Sequence, residues 1–131
     1  MAVALLAAAC GPARPAPDAW VPLAEWGDAR ISYLPASVQR QPDGTAVATI
    51  ALDHGAPQTS GQTTYTRHEM LVQVDCGGGR VGSTDFRLYA EGRQVHAGTN
   101  SPGWYDVRPE GYAESHWFPA LCRILEARTA G

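Results

Sequence analysis

No lysine occurs among the 131 residues; all ten basic residues are Arg, scattered singly, and the formal net charge is −3. A chain without a basic run has nothing to track a phosphate backbone, which argues against nucleic-acid binding. Charged residues are scarce, at 18% against 44% hydrophobic, so the composition lies far from the charge-rich balance that keeps chains disordered. Long apolar runs are also missing. The one candidate, Met1 to Cys10, falls well short of the roughly 20 residues that a membrane-spanning helix needs. Ligand spacing is absent as well. His54, His68, His96 and His116 form no H-x-x-x-H or H-E-x-x-H motif, and no Cys lies in a C-x-x-C pair, so no metal or other cofactor is expected. No Ser stands in a G-x-S-x-G context, and Gly77-Gly78-Gly79 lacks the Lys-Ser/Thr of a phosphate loop, which makes it a turn. No catalytic residue is assigned. Asp28, Asp53 and Asp75 remain the carboxylates that the fold could bring together.

What is present is glycine, proline and aromatics. Fourteen Gly and ten Pro interrupt helices and favour short strands joined by turns. Thr45 to Asp53 alternates with Ala46, Ala48, Ile50 and Leu52 on one face. From His68 onward, Met70, Val72, Val74 and Cys76 alternate with Glu69, Leu71, Gln73 and Asp75. These are half-buried strands, and Cys76 points to the core. Arg30 to Leu34, Val81 to Ala90 and Gln94 to Ala97 read as further strands. The polar stretch Gly55 to Thr66 reads as a long connection or an exposed hairpin tip. Short turns between consecutive strands imply an antiparallel meander of about four to six strands.

The carboxyl end changes period. Trp117, Leu121, Ile124 and Leu125 recur at helical spacing, with Pro119 suited only to a first turn. The pattern predicts a helical turn over Tyr112 to His116 and then a helix from about Phe118 to Arg128. The expected fold class is α+β: an antiparallel sheet packed against a C-terminal helix.

The amino terminus reads as an address. Residues 1–10 suit the end of a secretory signal, and Leu6-Ala7-Ala8-Ala9-Cys10 resembles the lipobox in which Cys becomes the lipid-bearing first residue. An ordinary signal peptide with an incidental Cys, or a stray apolar tail, is the alternative. The basic region that should precede such a run is missing, which implies a true start upstream of Met1 or a truncated chain. Residues 11–19, rich in Pro and Ala, read as a tether, and residues 20–131 as a single domain. Export implies an oxidising compartment, where two thiols in a small domain are bridged more often than free. With Cys10 set aside for lipid, Cys76 and Cys122 are the pair; reactive or metal-binding thiols are the alternative.

Four Trp and five Tyr are many for so short a chain, and most belong in the core. Tyr65 on the polar stretch, and Trp104 and Tyr105 after the loop at 99–103, are the candidate partner-contact residues.

The order of landmarks resembles the surface-adhesin protein E-like family of small proteobacterial lipoproteins. Cys10 is followed by Trp20, by I-S-Y-L-P-A-S-V at Ile31 to Val38, by Asp75-Cys76, by Tyr89-x-x-Gly92, by Trp104 through Pro109, and by Cys122. The likeness covers Trp20 to Ile124; Pro35 departs from it, standing where the family pattern has an acidic residue. The resemblance implies a sheet packed on a C-terminal helix, a Cys76–Cys122 bridge and a non-enzymatic role. The founding members are adhesins that bind host matrix and serum proteins and can dimerise. The expected protein is thus a lipid-anchored binding domain of the bacterial envelope, at the outer membrane, periplasm-facing or surface-exposed. Its partner would be a protein or another envelope component, and a homodimer is possible. The alternatives are an envelope assembly subunit acting through an exposed sheet edge, or an unrecognised periplasmic enzyme.

Overall fold

The computed structural model of the chain describes residues 19–101 and 103–130. The lipid-attachment expectation at Cys10, and those for the segments that precede residue 19, lie outside the described residues, as does Pro102 in the loop at 99–103. In chain order the strands are β1 (Val21–Trp26), β2 (Ala29–Tyr33), β3 (Gln39–Arg40), β4 (Ala46–Ser60), β5 (Thr63–Asp75), β6 (Arg80–Ala90), β7 (Arg93–Thr99) and β8 (Tyr105–Asp106), followed by the helix α1 (Glu114–Ala130). They form one antiparallel sheet in the order β1-β2-β4-β5-β6-β7, with β3 paired to β4 and β8 to β6. The meander and the C-terminal helix expected from the sequence are both present.

The alternating residues set the register. Ala46, Ala48 and Ile50 on β4 lie opposite Val74, Val72 and Met70 on β5, and Val74 lies opposite Val81 on β6. The inner face they form is buried, with Ile31 and Tyr33 of β2 extending it. Trp117, Leu121 and Leu125 of α1 close that core from above. The apolar stripe at helical spacing is therefore what docks the helix, as amphipathic helices on sheets require. A disulfide joins Cys76, just past the end of β5, to Cys122 in α1, with Cα atoms 5.8 Å apart. Arg40 adds a second tie by donating to the Leu125 carbonyl.

Three local features go beyond or against the sequence pattern. Of the two readings of the polar stretch from Gly55, the exposed hairpin tip holds and the long connection does not: β4 runs on to Ser60 and β5 starts at Thr63, so the stretch is a two-stranded ribbon. Its register breaks between Asp53 and Gln58, across Pro57, which has no N–H to give to a ladder. A strand was missed altogether at Val21–Trp26, where Pro22 and a register shift before Ala24 hide the alternation. The helix is one piece from Glu114 instead of a turn followed by a helix from Phe118, and Pro119 lies inside it. The lost N–H bond is tolerated because buried contacts on both sides of the proline, at Trp117 and Leu121, hold the second turn in place.

The β6–β7 hairpin shows how local chemistry fixes geometry. Its two-residue loop, Glu91-Gly92, has φ of 52° and 78°, both left-handed, as the right-handed twist of a tight hairpin demands. Glycine is at ease there, and Glu91 bears the strain.

Candidate functional site

The helix covers only part of the inner face. Toward the tip of the β4–β5 ribbon and across β6 and β7 the same face stays open, and the residues there change character. The period-two pattern that put Leu52 inside also places His54 two residues on, and the register places His68 opposite Leu52 and Leu88, Phe86 opposite Met70, and His96 opposite Leu88. The result is a row of rings running across the strands. His54 lies 5.9 Å from Tyr65, Tyr65 lies 6.0 Å from His68, His68 lies 6.0 Å from Phe86, and Phe86 lies 5.7 Å from His96. The first three contacts are edge-on, the geometry that ring quadrupoles favour. Gly98 makes room for the row: a methyl group there would fall 2.9 Å from the Phe86 ring.

Four rings of this row, His54, Tyr65, His68 and Phe86, floor a groove of about 460 Å³, and His96 continues the row outside its lining. Its far wall comes from the segment before α1 and the start of the helix: Tyr105, Arg108, Tyr112, Glu114 and Trp117. That wall is held by one buried carboxylate. Glu114 is 4% exposed and accepts from Arg108 Nε at 2.5 Å and Nη2 at 2.9 Å, while the Arg108 guanidinium stacks 4.1 Å from Tyr112 and 5.5 Å from Tyr105. Burial alone would raise the Glu114 pKa, but the Arg108 bonds outweigh it and hold the carboxyl below its usual range. Burial also raises the Tyr105 hydroxyl. Through these bonds Glu114, in the first turn of α1, locks the segment from Arg108 to the helix.

Burial pushes His68 below its ordinary value, and neighbouring His54 pushes it further. Burial likewise lowers His54, against the pull of Asp28 and Asp53. Both rings are therefore neutral near pH 7, each with one donor and one acceptor nitrogen. Among the described residues no side-chain hydrogen bond is made by His54, His68 or His96. No fully buried side-chain nitrogen or oxygen there lacks a partner, so these nitrogens are open to solvent, those of His54 and His68 in the groove.

Acid works against such rings. Unfolded imidazoles protonate near 6.5 and the folded His54 and His68 only at lower pH, so between these values the unfolded chain binds more protons. The stability tied to the neutral rings is complete above pH 6.5 and is lost as pH falls through their folded values. The urea midpoint should be lower at about pH 5 than at about pH 7.5. The drop should shrink in His68→Phe, which keeps a ring between Tyr65 and Phe86 but cannot titrate. An equal drop in both proteins would place the acid sensitivity elsewhere.

Of the sequence-based contact residues, Tyr65 and Tyr105 line this groove, and Trp104 does not: it lies 5.3 Å over Arg80, outside it. Of the three carboxylates, Asp28 and Asp53 both act on His54, and Asp75 does not join them. Asp53 is salt-bridged to Arg67 at 2.7 Å and shares it with Glu69 at 2.9 Å. Asp75 sits at the other end of β5, bonded to Arg80 at 2.8 Å, eight residues or about 27 Å of strand from Arg67. Among the described residues no three His, Cys, Asp or Glu side chains are placed to hold a metal ion. The ring row itself was missed. His54, His68 and His96 lie far apart in sequence, and only strand parity combined with the register brings them together.

Among the described residues no helix is long and apolar enough to cross a membrane. No curated protein sequence and no solved structure gives a significant match to the chain. The family model for surface-adhesin protein E matches residues 20–123, spanning the whole sheet, the groove and the first half of α1. With the Cys76–Cys122 link and the sheet-and-helix architecture in place, the chain belongs to the surface-adhesin protein E family.

Proposed function

We propose that this is an exported, non-enzymatic binding domain, held at the bacterial outer membrane by a lipid on Cys10, that meets its partner through the open half of the sheet's inner face. The observation that carries this reading is the ring row, His54–Tyr65–His68–Phe86–His96, left open beside a helix that covers the rest of the same face. Aromatic surface with unused hydrogen-bonding nitrogens is what a contact surface needs and a core avoids. The family supports a surface or envelope setting. Asp28 and Asp53 act on His54, but Asp53 is committed to Arg67 and Asp75 to Arg80 at the other end of β5, which weighs against an enzyme reading.

Two measurements test it. Fatty-acid analogue labelling should vanish in Cys10→Ala, and unchanged labelling would remove the anchor. A photo-crosslinker placed at Tyr105 should capture a partner in intact cells, while one at Arg87 on the opposite face should not. Equal capture at both positions would move the contact surface off the groove.

One observation favours a second reading, assembly through a sheet edge. β7 closes the strand order, almost all of its residues are exposed, and Val95 stands 45% exposed at a register break. An edge of this kind pairs readily with another strand, from a partner or from a second copy in a homodimer. Capture at Val95 with none at Tyr105 would select it.

A further inference from the structure

We infer that the groove takes a neutral glycan segment, one or two uncharged sugar rings, rather than a charged ligand or an aliphatic chain. The inference rests on the reading of the groove as the contact surface and names its ligand class.

Charge comes first. Among the described residues the only Arg and Glu that line the groove, Arg108 and Glu114, are bonded to each other. The His54 and His68 imidazoles on its floor, both lowered by burial, carry no charge near pH 7. A phosphate, a sulfate or a peptide side chain of either sign would leave water and find no free countercharge, which is costly. An aliphatic chain fails for the opposite reason. It would bury the nitrogens of His54 and His68 and the amides of Gln58 and Asn100 without replacing their water. An extended peptide would need a free backbone ladder, and this groove lies on a face, not at an edge.

Sugar rings meet both demands. Each hydroxyl donates and accepts, as neutral imidazoles and amides require, while the C–H faces of the ring match aromatic walls such as Tyr65 and Tyr112. The volume, about 460 Å³, lies within the range of small-ligand sites.

The test is a titration of the folded full chain at pH 7.5, followed through the histidine and backbone resonances. Two neutral probes separate the sources: triacetylchitotriose for envelope-type N-acetylglucosamine strands and lacto-N-neotetraose for host-type surface glycans. At least one should shift the His54 and His68 signals saturably at or below roughly 10 mM. Tyr65→Ala should weaken that binding by about tenfold or more. His68→Phe, which keeps the ring and loses the nitrogens, should do the same, and Arg87→Ala should leave it unchanged. The proposal falls if neither probe moves the groove signals, if His68→Phe and Tyr65→Ala both bind as the parent does, or if a sulfated disaccharide binds more tightly than both probes. Silent probes combined with groove-specific capture at Tyr105 would overturn the glycan assignment alone. Silent probes with no capture there would overturn the contact surface as well.

Discussion

Reducing the Cys76–Cys122 bond, or replacing Cys122→Ala, should lower stability by about 4 kcal/mol, the chain-entropy value for closing a loop of 46 residues. On a domain near 110 residues that is a fall in melting midpoint on the order of 15 °C. The helix should nevertheless stay docked. Burying Trp117, Leu121 and Leu125 contributes about 1.5–3 kcal/mol each, more in total than the crosslink, and none of these contacts needs the sulfur bridge. The reduced protein should therefore melt in one cooperative step at lower temperature, with its helical signal intact before the transition. Thermal melts followed by circular dichroism with and without reductant decide the matter. An unchanged midpoint would mean that the bridge stabilises nothing, and early loss of helix alone would mean that the covalent tie, not packing, holds α1 on the sheet.

How far the sequence showed this arrangement depends on whether a residue's role was local. Met70, Val72 and Val74 alternate with polar neighbours because one side of β5 is covered, so the pattern reads directly from the chain. Trp117, Leu121 and Leu125 show the helix face for the same reason. Where a strand is held by backbone pairing and not by burial, no pattern survives. The ribbon tip from Gln58 to Tyr65 pairs Gln58 with Tyr65, Thr59 with Thr64 and Ser60 with Thr63, yet its polar, glycine-containing sequence shows no apolar alternation and reads as loop. Pro119 misled in the other direction. Its local cost inside a helix is real, but packing around Trp117 and Leu121 outweighs it, and packing is not a property of the proline's neighbours in sequence. The groove needed one more step. His54, His68 and Phe86 follow the parity of Leu52, Met70 and Leu88, but Tyr65 stands an odd number of residues from His68 and joins them beside the register break of the ribbon, and His68 lies opposite both Leu52 and Leu88 only once the hairpin registers are known. Tyr65 and Tyr105 were singled out as candidate contacts because they flank polar stretches. Trp104 was singled out on the same ground, and its ring lies over Arg80.

Trp117→Ala should be the most damaging single substitution at the junction of core and groove. The side chain is 3% exposed, belongs to the cluster with Leu121 and Ile50, and also lines the groove. Truncating a buried Trp costs about 3–5 kcal/mol, the lost transfer energy plus the cavity left behind. Against the 5–15 kcal/mol that holds a typical domain together, this brings the folded state close to its limit. The disulfide changes how the damage is expressed. Cys122 lies five residues along α1 and stays tied to Cys76, so the C-terminal part of the helix cannot leave, and the loosening is confined to the first turn. That turn carries Glu114, and through Arg108 it positions Tyr112 and Tyr105, the far wall of the groove. At low temperature, where the variant is still folded, groove-specific capture from Tyr105 should fall, while Trp117→Phe, which refills most of the volume, should recover most of it. Urea titration gives the stability term and crosslinking yield the functional one. If Trp117→Ala lost its 3–5 kcal/mol with capture unchanged, the wall would not depend on the core beneath it, and the coupling of Glu114 to the packed helix would have no functional consequence.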